Sequence, residues 1–193
     1  GNSLFIDSEL QVAEKDEKKY SSQFVNSALN LSKDNSSAAI IGGGDGGVAR
    51  ELSSKGFDLI DWYELDPEVV KVCQKHLSKV FGDLKANNKV KTYWGDAFES
   101  IKKVKDSKYD KIFVDLNDDN FCINLAAKNM KGLKRILKPG GTITAQVGCM
   151  SKKPKQVKNW LDLLQTNFGN VELSEVFIPS FDCRWNFASS SHK

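Results

Sequence analysis

Short apolar runs alternate with amphipathic segments along most of this chain. Runs of strand length occur at 38–41, 59–64, 89–94, 111–115 and 142–147. Segments with helical spacing of their apolar residues occur at 18–31, 48–52, 67–80, 97–104, 123–137 and 155–168. Buried strands that alternate with helices are typical of a mainly parallel sheet with helices on both faces. The pattern therefore predicts a doubly wound α/β fold.

The two ends of the chain depart from this alternation. Residues 3–7 and 9–13 resemble two short strands that turn at Asp7 and Ser8, which predicts an N-terminal β-hairpin. Near the other end, strand-like segments at 171–178 and 185–188 follow each other without a helix between them. We expect these last two strands to form an antiparallel pair at the edge of the sheet.

The composition is that of an ordinary soluble domain. The chain has 193 residues, of which 40% are hydrophobic and 27% are charged, and this suits one well-packed core. No apolar run approaches the roughly 20 residues that a membrane-spanning helix needs. Residues 1–7 lack the basic stretch followed by an apolar stretch that marks a secretory signal. We therefore expect a cytoplasmic protein with no membrane partner.

The charge pattern does not indicate nucleic-acid binding. The net charge is +3, and the excess lysines lie in patches at 15–19 and 152–158. No aromatic residues are interleaved with these lysines, and charged runs of this kind usually cover the outer face of a helix. We expect no nucleic-acid partner.

The cysteines and histidines show no metal-binding pattern. The four cysteines lie far apart without a Cys-x-x-Cys pair, and the two histidines have no ligand spacing. These residues are Cys73, Cys122, Cys149, Cys183, His76 and His192. We expect neither a metal site nor a disulfide framework, and we interpret the cysteines as small buried or surface residues.

A glycine-rich loop follows the first buried strand. Gly42, Gly44 and Gly47 fit the pattern Gly-x-Gly-x-x-Gly between a strand and a helix, where the backbone can approach a ligand closely. Glu64 follows 20 residues after Gly44, at the end of the next strand, where it could bind both ribose hydroxyls. The loop predicts a nucleotide site; a structural turn beside a surface glutamate is the alternative.

Two more acidic residues follow later strands. Asp96, with its neighbour Ala97, comes after the third buried strand, and Asp115 ends the fourth. In a doubly wound sheet the carboxyl ends of parallel strands converge on one crevice, so these acids should meet Glu64 and the glycine loop. Asp96 would then lie at an adenine edge.

The kind of nucleotide follows from Asp45, which lies inside the glycine loop. A carboxylate there would repel a pyrophosphate, and the helix N-terminus could not fully offset this, so NAD is disfavoured. The carboxylate of adenosylmethionine is disfavoured too, whereas the decarboxylated form presents only an amine and a sulfonium. Asp45 therefore favours a cationic ligand. As an alternative it caps the following helix, and it could serve in both ways.

With these features the sequence resembles the spermidine and spermine synthases, the aminopropyltransferases. The matching segments are 1–11, 14–17, 40–47, 64–66, 95–97 and 177–181, together with Tyr20 and Asp115. The glycine-aspartate loop combined with the preceding Asp-x-x-x-Gln hairpin is far more specific than a glycine loop alone. The resemblance implies a Rossmann-like sheet of the methyltransferase type, with a hairpin remnant at 1–17 and a catalytic domain at 18–193. It also implies a homodimer.

The resemblance implies a role for each acidic residue of the site. Decarboxylated S-adenosylmethionine would be the cosubstrate, with no tightly bound cofactor. Glu64 would bind its ribose, Asp96 would lie near its adenine, and Asp45 would bind its aminopropyl amine. Asp115 would be the base that accepts a proton from the attacking amine. The acceptor would be a di- or polyamine such as putrescine or spermidine.

The resemblance also implies an amine pocket, and the sequence departs from the family near it. Gln11 and Tyr20 match positions that line the pocket, and Asp118 resembles a second acid that would hold the substrate's ammonium. The family usually continues with Ser-Ser-Asp-Pro after the base, whereas residues 116–120 here are Leu-Asn-Asp-Asp-Asn. Phe181 stands where a tyrosine hydroxyl often helps to hold the amine.

Two other functions stay open on the sequence. An adenosylmethionine-dependent methyltransferase could use the same sheet because fold does not determine function, although Asp45 argues against it. A non-catalytic relative would explain the altered segment 116–120 and Phe181, although the retained Asp115 argues against it.

Overall fold

The computed structural model describes residues 1–192 and confirms the α/β fold. The strands span Ser3–Ile6 (β1), Glu9–Ala13 (β2), Ser37–Gly42 (β3), Leu59–Glu64 (β4), Val90–Trp94 (β5), Tyr109–Asp115 (β6), Leu137–Cys149 (β7), Glu172–Ile178 (β8) and Cys183–Ser191 (β9). The helices span Glu17–Leu29 (α1), Gly47–Ser54 (α2), Pro67–His76 (α3), Ser78–Phe81 (α4), Ala97–Ile101 (α5), Asn120–Ile136 (α6) and Pro154–Phe168 (α7). Short 3-10 turns lie at Leu84–Ala86 and Pro179–Phe181.

Seven of these strands form one sheet in the order β5-β4-β3-β6-β7-β9-β8. β3 to β7 are parallel, and β9 is antiparallel to both β7 and β8. The predicted antiparallel pair at the edge is therefore confirmed. The chain adds strands on one side of β3 and then on the other, so its order reverses between β3 and β6. A crevice opens at the carboxyl ends of strands at such a reversal.

The sheet is covered on both faces by helices. One apolar layer includes Met130 of α6 and Trp160 of α7, and the other includes Phe24 of α1 and Leu52 of α2. All four side chains are 1% exposed or less. Strands buried on both faces explain why β3 and β6 read as continuous apolar runs rather than as alternating ones. No helix within residues 1–192 is long and apolar enough to cross a membrane.

Aspartates begin three of the helices that follow the parallel strands. Asp66, Asp96 and Asp119 each accept a hydrogen bond from a backbone N–H in the first turn of α3, α5 and α6. This satisfies donors that have no partner within the helix. The caps fix where each helix starts, and thereby the geometry of the loops at the carboxyl edge of the sheet.

The N-terminal hairpin forms its own two-stranded antiparallel sheet from β1 and β2. Asp7 and Ser8 at its turn have φ angles of 49° and 67°, the left-handed conformation that matches the twist of a tight hairpin. Val12 and Ala13 at the end of β2 are 4% and 3% exposed. The hairpin is therefore anchored at the end nearer α1.

Two elements differ from their predicted bounds. The helix predicted over 67–80 breaks at Leu77, whose backbone leaves the helical region while its side chain is buried, and α4 follows as a separate turn. The strand predicted over 142–147 begins earlier, at Leu137. Residues 139–141 form an irregularity within β7, where Gly140 has a φ of 77°.

The expectation about the cysteines is wrong for one pair. A disulfide joins Cys149, at the end of β7, to Cys183, at the start of β9, and their Cα atoms are 6.2 Å apart. The two residues are 34 positions apart in sequence, so their spacing carries no signal. The antiparallel pairing of β7 with β9 brings them together. Cys73 and Cys122 are free thiols.

Candidate active site

A crevice of about 990 Å³ opens at the carboxyl ends of β3, β4 and β6, on the side where the hairpin lies. This volume is at the upper end of the range for small-molecule sites. All predicted site residues except Gly47 line it: Gln11, Tyr20, Gly42, Gly44, Asp45, Glu64, Asp96, Ala97, Asp115 and Asp118. The doubly wound topology thus gathers residues that are distant in sequence at one edge of the sheet.

The glycines of the loop make room for two acidic side chains. Gly43 has a φ of 70°, and a Cβ added there would lie 2.8 Å from Asp115 Oδ2. A Cβ on Gly44 would lie 3.2 Å from Glu64 Oε2. The Gly43 N–H also donates a 3.1 Å hydrogen bond to the backbone carbonyl of Asp115. The loop therefore needs glycine because it packs directly against Asp115 and Glu64.

Gly47 has a different role. It begins α2 under Glu17, and a Cβ at this position would collide with Glu17 Oε1. Gly47 therefore serves the packing of α1 on α2 and does not line the crevice.

Asp45 is both a helix-terminal acceptor and a charged group of the crevice. Its Oδ1 accepts a 2.6 Å hydrogen bond from the Gly47 N–H, although the N-cap of α2 is Gly46 and not Asp45. Burial, together with the negative charges of Asp115 and Glu17, raises the pKa of Asp45 to about 8. A cationic ligand amine would relieve this repulsion and favour the charged carboxylate.

Glu64 and Asp96 lie on the β4 and β5 side of the crevice. Glu64 is 8% exposed, and its Oε1 accepts a 2.9 Å hydrogen bond from the Asp66 N–H. Burial raises the pKa of Glu64. Asp96 is exposed, and its Oδ1 accepts a 2.8 Å hydrogen bond from the Phe98 N–H. Each acid keeps its second oxygen free of these contacts, so both could accept hydrogen bonds from a ligand.

Asp115 lies at the end of β6, directly beside Gly42 of β3. The Tyr20 hydroxyl donates a 2.6 Å hydrogen bond to Asp115 Oδ1. Burial raises the pKa of Asp115 to about 6, and the Tyr20 hydrogen bond opposes this rise by stabilising the charged form. A carboxyl group with this pKa is mostly ionised at neutral pH and can still accept a proton from a substrate.

Aromatic side chains form the wall behind Tyr20. The ring of Tyr20 meets those of Phe181 and Phe187 edge to face, at centroid distances of 6.4 and 5.1 Å. Phe181 also contacts Trp185 at 4.7 Å. Asp16 holds this wall in place, because its carboxylate accepts hydrogen bonds of 2.6 and 2.8 Å from the backbone N–H and hydroxyl of Ser180.

Glu17 and Lys153 are among the charged residues of the crevice that sequence reasoning did not assign to the site. Glu17 is 4% exposed and forms a 2.8 Å ion pair with Arg50. Its signal in the sequence was an acidic residue at the start of an amphipathic helix, three positions before Tyr20. Lys153 also lines the crevice and lies 3.1 Å from Asp118 Oδ1. No local pattern could have predicted this pair, because its members are 35 residues apart.

Replacing Tyr20 by phenylalanine should raise the pKa of Asp115 above about 6, because the hydroxyl that stabilises the carboxylate is lost. Carboxyl carbon chemical shifts followed by NMR across pH would measure the change. Tyr93→Phe is the matched control, since Tyr93 stacks on Tyr63 and not on Asp115. A Tyr20→Phe chain with an unchanged or lower Asp115 pKa would contradict the assignment.

The fold and the crevice together define a class of protein. It is a Rossmann-like α/β domain with an acidic small-molecule site at the point where the strand order reverses.

The comparison with known proteins identifies the family within this class. A family model described as the spermine/spermidine synthase domain matches residues 17–193. Two polyamine aminopropyltransferases of Prochlorococcus marinus are similar in sequence. The protein of strain MIT 9215 is 33% identical over all of this chain and 70% of its own length. That of strain MIT 9301 is 34% identical over 98% of this chain and 69% of its own length. The chain belongs to the spermine/spermidine synthase family, as its sequence motifs predict.

Solved structures support the same fold. A crystal structure of spermidine synthase in complex with the transition state analogue AdoDATO matches 97% of this chain with a TM-score of 0.86 and 20% identity. The spermidine synthase of Thermotoga maritima matches with the same score and identity. The chain spans 63% and 64% of the lengths of these two proteins.

Proposed function

We propose that this chain transfers the aminopropyl group of decarboxylated adenosylmethionine to an amine and releases methylthioadenosine. The observation that carries the proposal is the grouping of Asp45, Asp115 and Glu17 at the buried end of one crevice. Each of the first two has a raised pKa, caused mainly by burial and partly by the charges of neighbouring acids. Arg50 pairs with Glu17, whereas Asp45 and Asp115 form no ion pair within residues 1–192, and a sulfonium with an aminopropyl ammonium would supply the positive charge that these two carboxyls need.

The nucleoside half of the cosubstrate fits the β4 and β5 side of the crevice. Glu64 would accept hydrogen bonds from the two ribose hydroxyls through the oxygen that the Asp66 N–H leaves free. Asp96 and Ala97 would lie at the adenine edge. Asp45 would bind the ammonium of the aminopropyl arm, which extends over the glycine loop toward Asp115.

Transfer is a displacement at the carbon beside the sulfonium. The lone pair of the acceptor nitrogen forms the new C–N bond, the C–S bond breaks, and its electron pair returns to sulfur. Methylthioadenosine therefore leaves as a neutral thioether. The nitrogen becomes positively charged and gives a proton to Asp115, whose pKa of about 6 keeps it available as a base at neutral pH. The Tyr20 hydrogen bond orients the carboxylate for this step.

The acceptor would lie between Asp115 and the aromatic wall. Tyr20 and Gln11 both line this part of the crevice, and so does Asp118. Flat aromatic faces suit the methylene chain of an aliphatic amine, and the family resemblance favours putrescine or spermidine as the acceptor.

Product analysis tests the proposal directly. The purified chain is incubated with decarboxylated adenosylmethionine and putrescine or spermidine, and methylthioadenosine is quantified by liquid chromatography. The amine product should gain one aminopropyl group by mass spectrometry, and intact adenosylmethionine should give no product. Methylation of an acceptor by intact adenosylmethionine would instead indicate a methyltransferase.

A further inference from the structure

Asp118 is not a free carboxylate. It lies in the loop between β6 and α6, with a side chain that is 14% exposed, and lines the same crevice as Asp115. Lys153 Nζ lies 3.1 Å from Asp118 Oδ1, and the Lys153 side chain is 40% exposed. The lysine lines the crevice too. An ammonium group of the protein itself therefore already occupies one oxygen of this acid.

The other oxygen of Asp118 is against the backbone of β7. A Cβ added to Gly148 would lie 2.5 Å from Asp118 Oδ2, and Gly148 has a φ of 88°. Glycine at this position thus provides the space into which the Asp118 carboxylate fits. Oδ2 thus lies close to Gly148 and Oδ1 is paired with Lys153, so a second cation that approached Asp118 would meet the charge of this lysine.

Lys153 is fixed where it can hold this pair. It immediately precedes α7, and its backbone N–H donates a 2.7 Å hydrogen bond to the Cys149 carbonyl. Its own carbonyl accepts the hydrogen bond from the Val157 N–H in the first turn of α7. Cys149 is in turn bound to Cys183 by the disulfide. The backbone of Lys153 is thus tied to the β7–β9 pair, which keeps Asp118 within reach of its side chain.

We propose that Lys153 is a specificity-determining residue that weakens the interaction of Asp118 with a second ammonium, so that the site discriminates less between diamines and amines with an uncharged far end than it would without this lysine. The inference rests on the proposed aminopropyl transfer. A diamine whose second ammonium reached Asp118 would have to displace Lys153 or lie beside a like charge. An acceptor that ends in a hydroxyl meets neither cost.

The test compares two acceptors of equal length, putrescine and 4-aminobutanol, in the unsubstituted chain and in Lys153→Gln. The measured quantity is the ratio of kcat/KM for putrescine to that for 4-aminobutanol. We expect this ratio to rise about fivefold in Lys153→Gln, the upper end of the scale for a partly exposed ion pair. Lys158→Gln, on the exposed side of α7, makes the same change in net charge and should leave the ratio unchanged.

A second variant distinguishes specificity from a structural effect. If Lys153 acts through Asp118, adding Asp118→Asn to Lys153→Gln should abolish the gain for putrescine, because the released carboxylate is then gone. If Lys153 had a purely structural role, its substitution would lower kcat/KM equally for both acceptors and leave their ratio unchanged. An unchanged ratio in Lys153→Gln overturns the proposal.

Calorimetry distinguishes a failure of this inference from a failure of the proposed function. Putrescine and 4-aminobutanol are titrated into each chain saturated with methylthioadenosine, so amine binding is measured without transfer. A gain of about fivefold in the putrescine preference of Lys153→Gln supports the inference even if no chain releases product, in which case only the proposed reaction fails. Absence of binding by both amines, or equal preferences in both chains, overturns it.

Discussion

The Asp115→Asn chain should release methylthioadenosine about a thousandfold more slowly than the unsubstituted chain, the usual scale for loss of a general base. Asparagine keeps the size of the side chain and can still accept the 2.6 Å hydrogen bond from Tyr20. It cannot accept a proton from the attacking amine. The acidic limb of the kcat/KM profile, expected near pH 6 from the Asp115 pKa, should also disappear.

Binding of the nucleoside should survive this substitution. We expect the dissociation constant of methylthioadenosine to stay within about threefold, because Asp115 acts on the amine and not on the nucleoside. Asp162→Asn is the control, because it makes the same change in net charge on the exposed face of α7. An Asp115→Asn chain that works within about threefold of the unsubstituted rate would mean that another group accepts the proton.

Asp45→Asn should weaken binding of decarboxylated adenosylmethionine by about 10- to 100-fold, the range expected for losing a charge-assisted hydrogen bond. Asparagine can still accept the hydrogen bond from the Gly47 N–H, so the start of α2 should persist. Methylthioadenosine lacks the aminopropyl ammonium and should bind both chains equally. Calorimetric titration of the two ligands measures this difference. Equal loss for both would show that the substitution disrupts the loop and not a charge contact.

The same substitution should change how stability depends on pH. The pKa of Asp45 is raised to about 8 by burial and by nearby acids, so the folded chain binds the proton more tightly than the unfolded chain does. Its contribution to stability is therefore complete below about pH 4 and is lost as the pH rises toward 8. Relative to the unsubstituted chain, Asp45→Asn should gain about 4 to 5 kcal/mol in the free energy of unfolding between these limits. Urea titrations of both chains at pH 4.5 and 8 would measure this gain. If the free energies of unfolding of the two chains differed by the same amount at both pH values, the raised pKa of Asp45 would be contradicted.

Much of the fold could be predicted because its signals are local. β3 and β6 are continuous apolar runs, and the glycine loop between β3 and α2 marks the edge of the sheet where ligands bind. A doubly wound topology then gathers Glu64 and Asp115 there, whatever their separation in sequence.

The features that were missed depend on tertiary contacts. The Cys149–Cys183 disulfide follows from the pairing of β7 with β9, and that pairing has no local signature. The Asp118–Lys153 pair depends on the space above Gly148. The sequence could indicate that Asp118 is an acid near Asp115, but not that its carboxylate pairs with Lys153. The break at Leu77 likewise reflects burial of its side chain.

The central claim is that the acidic crevice selects a cationic, decarboxylated nucleoside. Isothermal titration of the purified chain with adenosylmethionine and with its decarboxylated form tests this most directly, because in the proposed binding mode Asp45 would face the group by which the two ligands differ. We expect the decarboxylated form to bind at least about tenfold more tightly, because Asp45 and Asp115 would repel the carboxylate of intact adenosylmethionine. Equal or tighter binding of intact adenosylmethionine would contradict it and indicate a methyltransferase.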